Sequence, residues 1–284
     1  MTPQNDAGWN LRDHLPLAEV TVQSHRGAGV LRPENTLAAF IHAWDLGTVP
    51  EADLSTLRDG TLVAFHDADF QRVLPVAAAE QRTRRITDMD WVEASTVDVG
   101  AWHGAEWTGL RMPRFAEVLA ELQRRPGRRI YLDVKAADPE QVAREVAAAG
   151  VAEQTILAST DHDLLQRWKR AAPQAATLLW LGGGEERISA RLAAVRATGF
   201  AGIDQLQVHV DGTAEALSPS PGFLIALGEE LRDHGILLQA LPWRIADERV
   251  LWRLFDLGVA SLATDHPDSA MAALRAYYSA GAGG

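Results

Sequence analysis

The 284-residue chain is acidic, with 27 Lys and Arg against 38 Asp and Glu and a formal net charge of -11. That balance argues against a nucleic-acid partner, because phosphate backbones are held by clustered cations. The chain has no cysteine, which excludes disulfides and thiolate metal sites. It also has no apolar run of the roughly 18 residues needed to span a membrane. Its first ten residues are polar and lack a basic-then-apolar leader, so a cytoplasmic location is the expectation. A hydrophobic content of 47% suffices for one large core, and a single domain over residues 1–284 is expected.

Apolar strand-like runs alternate with amphipathic helical stretches along the chain. Residues 19–24 read as a strand and 34–46 as a helix, with Leu37, Phe40, Ile41 and Trp44 on its apolar face. The next strand is 49–54. Only 12 residues then separate Asp53 from His66, and they contain the turn signal Arg58-Asp59-Gly60. A parallel crossover needs a dozen or more residues, usually with a helix. Residues 54–56 and 61–65 therefore read as two arms of a hairpin. An insertion follows over about 67–112, and a helix begins near Pro113-Arg114-Phe115.

Further strands are expected at 129–134, 154–159, 176–181, 203–208, 236–241 and 260–264. Helices are expected at 139–149, 163–171, 185–198, 223–234 and 247–257. Glycines 150, 199, 235 and 258 follow four of these helices, where a left-handed cap belongs. Eight strand-then-helix units imply a (β/α)8 barrel, a TIM barrel, with the insertion over its mouth.

The chemistry-bearing residues fall at strand ends. His25 ends the first strand, Glu51 and Asp53 the second, and Asp133 and Lys135 the third, while the hairpin returns His66 toward Glu51 and Asp53. Residues two apart on a strand share a face, so Glu51 with Asp53, and Asp133 with Lys135, point inward together. Three converging carboxylates repel unless a cation lies between them, and Ca²⁺ or Mg²⁺ accepts such hard oxygen ligands. Two histidines beside a divalent cation suit proton transfer during attack on phosphorus.

The motifs His25-Arg26-Gly27, Pro33-Glu34-Asn35-Thr36, Glu51-x-Asp53 and His66-Asp67 together resemble the glycerophosphodiester phosphodiesterase family. Met112-Pro113 and the closing Thr264-Asp265-His266-Pro267 extend the resemblance over about residues 20–270. It implies metal-dependent hydrolysis of a small phosphodiester to glycerol phosphate and an alcohol. It also implies His25 and His66 as the acid-base pair, Glu51, Asp53 and Asp133 as metal ligands, and Arg26 and Lys135 on the phosphate. Glu34, Trp243 and His209 are further candidates for the pocket, and Asn35 is read as the cap of the first helix.

Two positions depart from the family pattern. Asp133 stands where a glutamate is usual, and Pro242-Trp243-Arg244-Ile245 replaces a common Trp-Thr-Val-Asn run. Aspartate at the first of these positions is shared with sphingomyelinase D-like phospholipases. A lysophospholipase D- or sphingomyelinase D-like lipid phosphodiesterase therefore stands as one alternative, and a catalytically silent phosphodiester-binding barrel is a second, from a different function class. The sequence leaves the order of the two histidines, the oligomeric state and the metal open.

Overall fold

The structure is a computed structural model describing residues 9–242 and 245–281. In chain order its elements are α1 (Leu11–His14), β1 (Thr21–Ser24), α2 (Leu37–Leu46), β2 (Val49–Thr56), β3 (Leu62–Ala64), α3 (Ala79–Arg82), α4 (Trp91–Ala94) and α5 (Phe115–Gln123). Then come β4 (Ile130–Ala136), α6 (Pro139–Ala149), β5 (Thr155–Ser159), α7 (His162–Ala171), β6 (Ala176–Leu181) and α8 (Glu185–Ala197). The last are β7 (Gln205–Gly212), β8 (Leu217–Ser218), α9 (Pro221–Asp233), β9 (Leu237–Pro242), α10 (Glu248–Asp256), β10 (Ser261–Thr264) and α11 (Pro267–Gly281). The fold class is a TIM barrel, a closed barrel of eight parallel strands with helices between them, as the alternating pattern implied. Among the described residues no helix is long and apolar enough to cross a membrane.

The chain divides into two compact units. One takes Met1–Ser24, Ala158–Arg167 and Ala176–Gly284. Its strands run in the order β6-β7-β9-β10-β1, with the short β8 antiparallel to β7. Apolar residues recur at helical spacing: α10 buries Val250, Leu251, Leu254 and Phe255, and α9 buries Leu224, Leu227 and Leu231. Side-chain caps start these helices, Asp247 on Arg249 N and Ser220 on Phe223 N. Buried amides among the strands are joined in series. Gln207 donates to Gln239, whose Nε2 donates to Ser261 Oγ at 2.9 Å, and that hydroxyl donates to Thr21 O at 2.8 Å.

The other unit takes His25–Leu157 and Trp168–Ala175 and carries the motifs singled out above. Here β2 lies parallel to β4 with Glu51 beside Tyr131 and Asp53 beside Asp133. β3 turns back antiparallel on the end of β2, Leu54 opposite Ala64 and Thr56 opposite Leu62, so the expected hairpin is present. Gly60 supplies the positive φ of +86° at its tip. α5 seats Phe115, Val118, Leu119 and Leu122 on its buried face, each worth roughly 1.5–3 kcal/mol relative to exposure.

Two local expectations are corrected. The first helix begins at Leu37 rather than 34, because Asn35 holds φ +52°, a left-handed conformation incompatible with a helical turn. Its cap is Thr36, which accepts from Ala39 N at 3.2 Å, and not Asn35. The insertion has a small core of its own, in which Phe70, Val73, Ile86, Met89, Val99 and Met112 pack with Leu57, Val63 and Phe65 of the hairpin. His66 follows directly from that packed base, where the Phe65 and Phe70 ring centroids are 4.9 Å apart.

Candidate functional site

The second unit brings Glu51, Asp53 and Asp133 together. One carboxylate oxygen from each lies within 4.8 Å of the others, with Asp53 wholly buried and Glu51 nearly so. The cause is register: Asp53 and Asp133 are direct neighbours across β2 and β4, and Glu51 sits two residues back on the same face. The ladder then slips. Leu54 pairs Val134 but Ser55 pairs Ala136, leaving Lys135 as the extra residue of a bulge. Lys135 Nζ donates to Asp133 Oδ2 at 2.7 Å and lies 3.3 Å from Asp53 Oδ1.

The electrostatics follow from burying three carboxylates against one ammonium. Burial, with Asp53 and Asp133 nearby, pushes Glu51 up to about 7 against the opposing pull of His25 and Lys135. Asp133 is raised as well, chiefly by burial and despite Lys135. Burial works against the Lys135 ammonium, but Asp53 and Asp133 outweigh it and raise its pKa.

Asp53 is held from behind by Asn35, which donates from Nδ2 to Oδ2 at 2.7 Å and accepts from the Asp53 amide at 2.9 Å. Its other oxygen, Oδ1, is buried and accepts no hydrogen bond. A buried carboxylate oxygen that receives no hydrogen bond and faces only the Lys135 ammonium at 3.3 Å, in a cluster of hard donors, is one that a divalent cation would satisfy. The spacing suits one ion with ligands at ~2.0–2.6 Å. These residues fit a Ca²⁺- or Mg²⁺-type ion.

The two histidines flank the cluster. His25 Nε2 is 4.0 Å from Glu51 Oε2. His66 has Nδ1 2.6 Å from Asp67 Oδ1 and Nε2 2.8 Å from Arg26 Nη2. A guanidinium only donates, so Nε2 is an acceptor here and the ring proton lies on Nδ1, toward Asp67. Arg26 stands at φ +52°, which turns its own amide to Glu51 Oε2 at 3.3 Å, and its Nη1 donates to both oxygens of Glu34 at 3.3 Å. The neighbouring Gly27, at φ +105°, is required sterically, since a Cβ there would meet Ala39 Cβ at 2.7 Å.

Of the residues anticipated from sequence, His25, Arg26, Glu34, Glu51, Asp53, His66, Asp133 and Lys135 converge in this unit. Trp243 lies outside the described residues. His209 belongs to the other unit, where it stacks on Trp180 at 5.3 Å. Sequence reasoning gave no site role to Asn35, Asp67 or Arg72. Asn35 and Asp67 stand inside the motifs Pro33-Glu34-Asn35-Thr36 and His66-Asp67 and are in that sense within reach of the sequence. Arg72 emerges only in three dimensions, pairing with both Glu34 and Asp67. A cavity of about 970 Å³ lined by residues such as Gln123, Arg129 and Gln154 contains none of these groups. Chemistry rather than cavity size therefore locates the site.

Comparison with known proteins adds a family. The model of the glycerophosphoryl diester phosphodiesterase family matches residues 25–269. The chain is 25% identical over 262 residues to the glycerophosphodiester phosphodiesterase of Caldanaerobacter subterraneus subsp. tengcongensis, covering 87% of this chain and 95% of that protein. A crystal structure of glycerophosphodiester phosphodiesterase from Agrobacterium tumefaciens superposes with a TM-score of 0.69 at 23% identity, over 89% of this chain and 99% of that one. An Oleispira antarctica phosphodiesterase, solved in complex with the product sn-glycerol-3-phosphate, matches with a TM-score of 0.67 at 21% identity, over 93% and 99%.

Proposed function

The chain belongs to the glycerophosphoryl diester phosphodiesterase family, and on that premise we propose that it cleaves small glycerophosphodiesters to glycerol phosphate and an alcohol by metal-dependent, two-histidine chemistry. The observation that carries this reading is the shared neighbourhood of an acidic cluster suited to a divalent cation and two histidines with distinct surroundings. Glu51, Asp53 and Asp133 hold the cation, Ca²⁺ or Mg²⁺. When bound, such an ion polarises phosphoryl oxygens and acidifies a neighbouring hydroxyl. Arg26 and Lys135 neutralise charge on the phosphoryl oxygens, a local positive centre that an anion needs on a protein of charge -11.

His66, with Asp67 on its Nδ1 proton and a lone pair on Nε2, takes the proton of the attacking hydroxyl or water. His25, whose Nε2 lies 4.0 Å from Glu51 Oε2 on the other flank of the cluster, protonates the departing alkoxide. In-line displacement needs these two roles on opposite sides of phosphorus. The intact pair of proton-transfer groups favours an enzyme over a silent binding barrel, which has no use for them.

A turnover screen tests the reading, using glycerophosphocholine, glycerophosphoethanolamine, glycerophosphoinositol and lysophosphatidylcholine, each with added Mg²⁺ or Ca²⁺ and with chelator. Cation-dependent release of glycerol phosphate from one of the first three supports it. Turnover confined to the lysophospholipid would move the substrate class to lipids.

A further inference from the structure

Five side chains beside the acidic cluster close into a ring of hydrogen bonds. Arg26 joins Glu34 to His66, and His66 joins Arg26 to Asp67. The ring is completed by Arg72, whose Nε donates to Asp67 Oδ2 at 2.8 Å and whose two terminal nitrogens fork onto the Glu34 carboxylate, Nη2 at 2.7 Å from Oε1. Two guanidinium and two carboxylate charges cancel around a neutral imidazole. Each Asp67 oxygen is committed, one to the histidine and one to the arginine, so the carboxylate cannot rotate without breaking a bond.

Arg72 itself is fixed from the insertion. Phe70 and Val73 on either side of it are buried in the insertion core at 1% and 3% exposure, and its guanidinium lies 5.8 Å over the Trp102 ring. Three N–H groups in one plane serve two carboxylates, a geometry that a lysine cannot reproduce.

We propose that Arg72 is the positioning residue of the proton-transfer site, holding Asp67 and Glu34 in one fork so that His66 keeps its Nε2 lone pair toward Arg26. This rests on the reading of His66 as the base. It also makes the Arg26–His66 contact the link that opens: a phosphodiester oxygen accepting from Arg26 Nη2 releases His66 Nε2 for the proton it must take. Substrate arrival and base exposure are then one event. Without Arg72, Glu34 has no competing partner for Arg26 and draws it away from the phosphate. Asp67 meanwhile loses the anchor that orients His66. The first effect raises KM, and the second lowers kcat.

The test compares wild type with Arg72→Gln and Arg72→Lys, using ¹⁵N-histidine NMR of the substrate-free protein and steady-state kinetics on glycerophosphocholine. Wild type is expected to hold His66 as the single Nδ1–H tautomer. Arg72→Gln is expected to give mixed tautomers, with KM raised and kcat lowered by about tenfold each, as loss of charged hydrogen bonds implies. Arg72→Lys should recover most of the KM and little of the kcat, because one ammonium reaches one carboxylate well.

A wild-type tautomer in Arg72→Gln, together with KM and kcat within twofold, would overturn the proposal. So would a wild-type tautomer in Arg72→Lys should the glutamine variant fail to fold. The tautomer is read without turnover. A His66→Ala protein that kept full activity would thus refute the base assignment separately from the ring.

Discussion

Asn35→Ala should be among the most damaging single changes outside the charged groups. It removes a donor from Asp53 Oδ2 and an acceptor from the Asp53 amide, and Asn35 and Asp53 are 2% and 0% exposed. A hydrogen bond to a charged acceptor is worth ~1.5–3 kcal/mol, and the stranded amide costs ~1–3 kcal/mol. Alanine at φ +52° adds ~1 kcal/mol of left-handed strain. Together these amount to roughly 3.5–7 kcal/mol.

Asn35→Gly separates the components. It loses the same hydrogen bonds but tolerates the backbone, so it should lie about 1 kcal/mol above the alanine variant. Urea unfolding of the metal-free protein, followed by tryptophan fluorescence and circular dichroism with coincident transitions, measures both. A loss below ~1 kcal/mol for Asn35→Ala would show that the clamp carries little, against the logic of buried unsatisfied groups.

Glu51 predicts a pH dependence. Its folded pKa of about 7 lies above the ordinary 4.5, so the metal-free native state binds the extra proton. The stability this contributes is complete below pH 4.5 and lost as pH rises through 7. Chelated protein followed by denaturant titration from pH 5 to 8 should show that decline, and a rise across the window would contradict it. Binding Mg²⁺ or Ca²⁺ must displace the proton, so calorimetry at pH 6 should find enthalpies that depend on the buffer's ionisation heat. Asp133→Ala should weaken cation affinity as severely as Asp53→Asn, while Asp133→Glu stays active. Affinity within about threefold of wild type in the alanine variant, below ~0.7 kcal/mol, would remove Asp133 from the ligands. His25→Ala and His66→Ala should each lower kcat by about 10²–10⁴-fold with circular dichroism unchanged.

Strand positions were legible because a buried parallel strand is a short apolar run ended by a turn, and β6 and α6 fall where that pattern put them. The acidic cluster was legible for a related reason. Two-residue parity on neighbouring strands carries Glu51, Asp53 and Asp133 to one face with little help from loops. Contacts between side chains on irregular segments were not legible. Arg72 reads as one more insertion arginine until the Phe70 and Val73 anchors aim it at Glu34 and Asp67. Asn35 looked like a helix cap because Pro-Glu-Asn-Thr contains two good capping residues. The left-handed backbone gave that task to Thr36 and freed Asn35 for Asp53. The bulge at Lys135 was equally hidden, since register slips leave no local mark in sequence.

The central claim is that a divalent cation on the Glu51–Asp53–Asp133 cluster enables hydrolysis of a glycerophosphodiester, and ³¹P NMR of glycerophosphoethanolamine turnover tests it most directly. The account predicts conversion of the diester signal to glycerol phosphate in Mg²⁺ or Ca²⁺, none after exhaustive chelation, recovery on adding the ion back, and none with Asp53→Asn in saturating metal. Undiminished conversion in chelator, or a fully active Asp53→Asn protein, would contradict it.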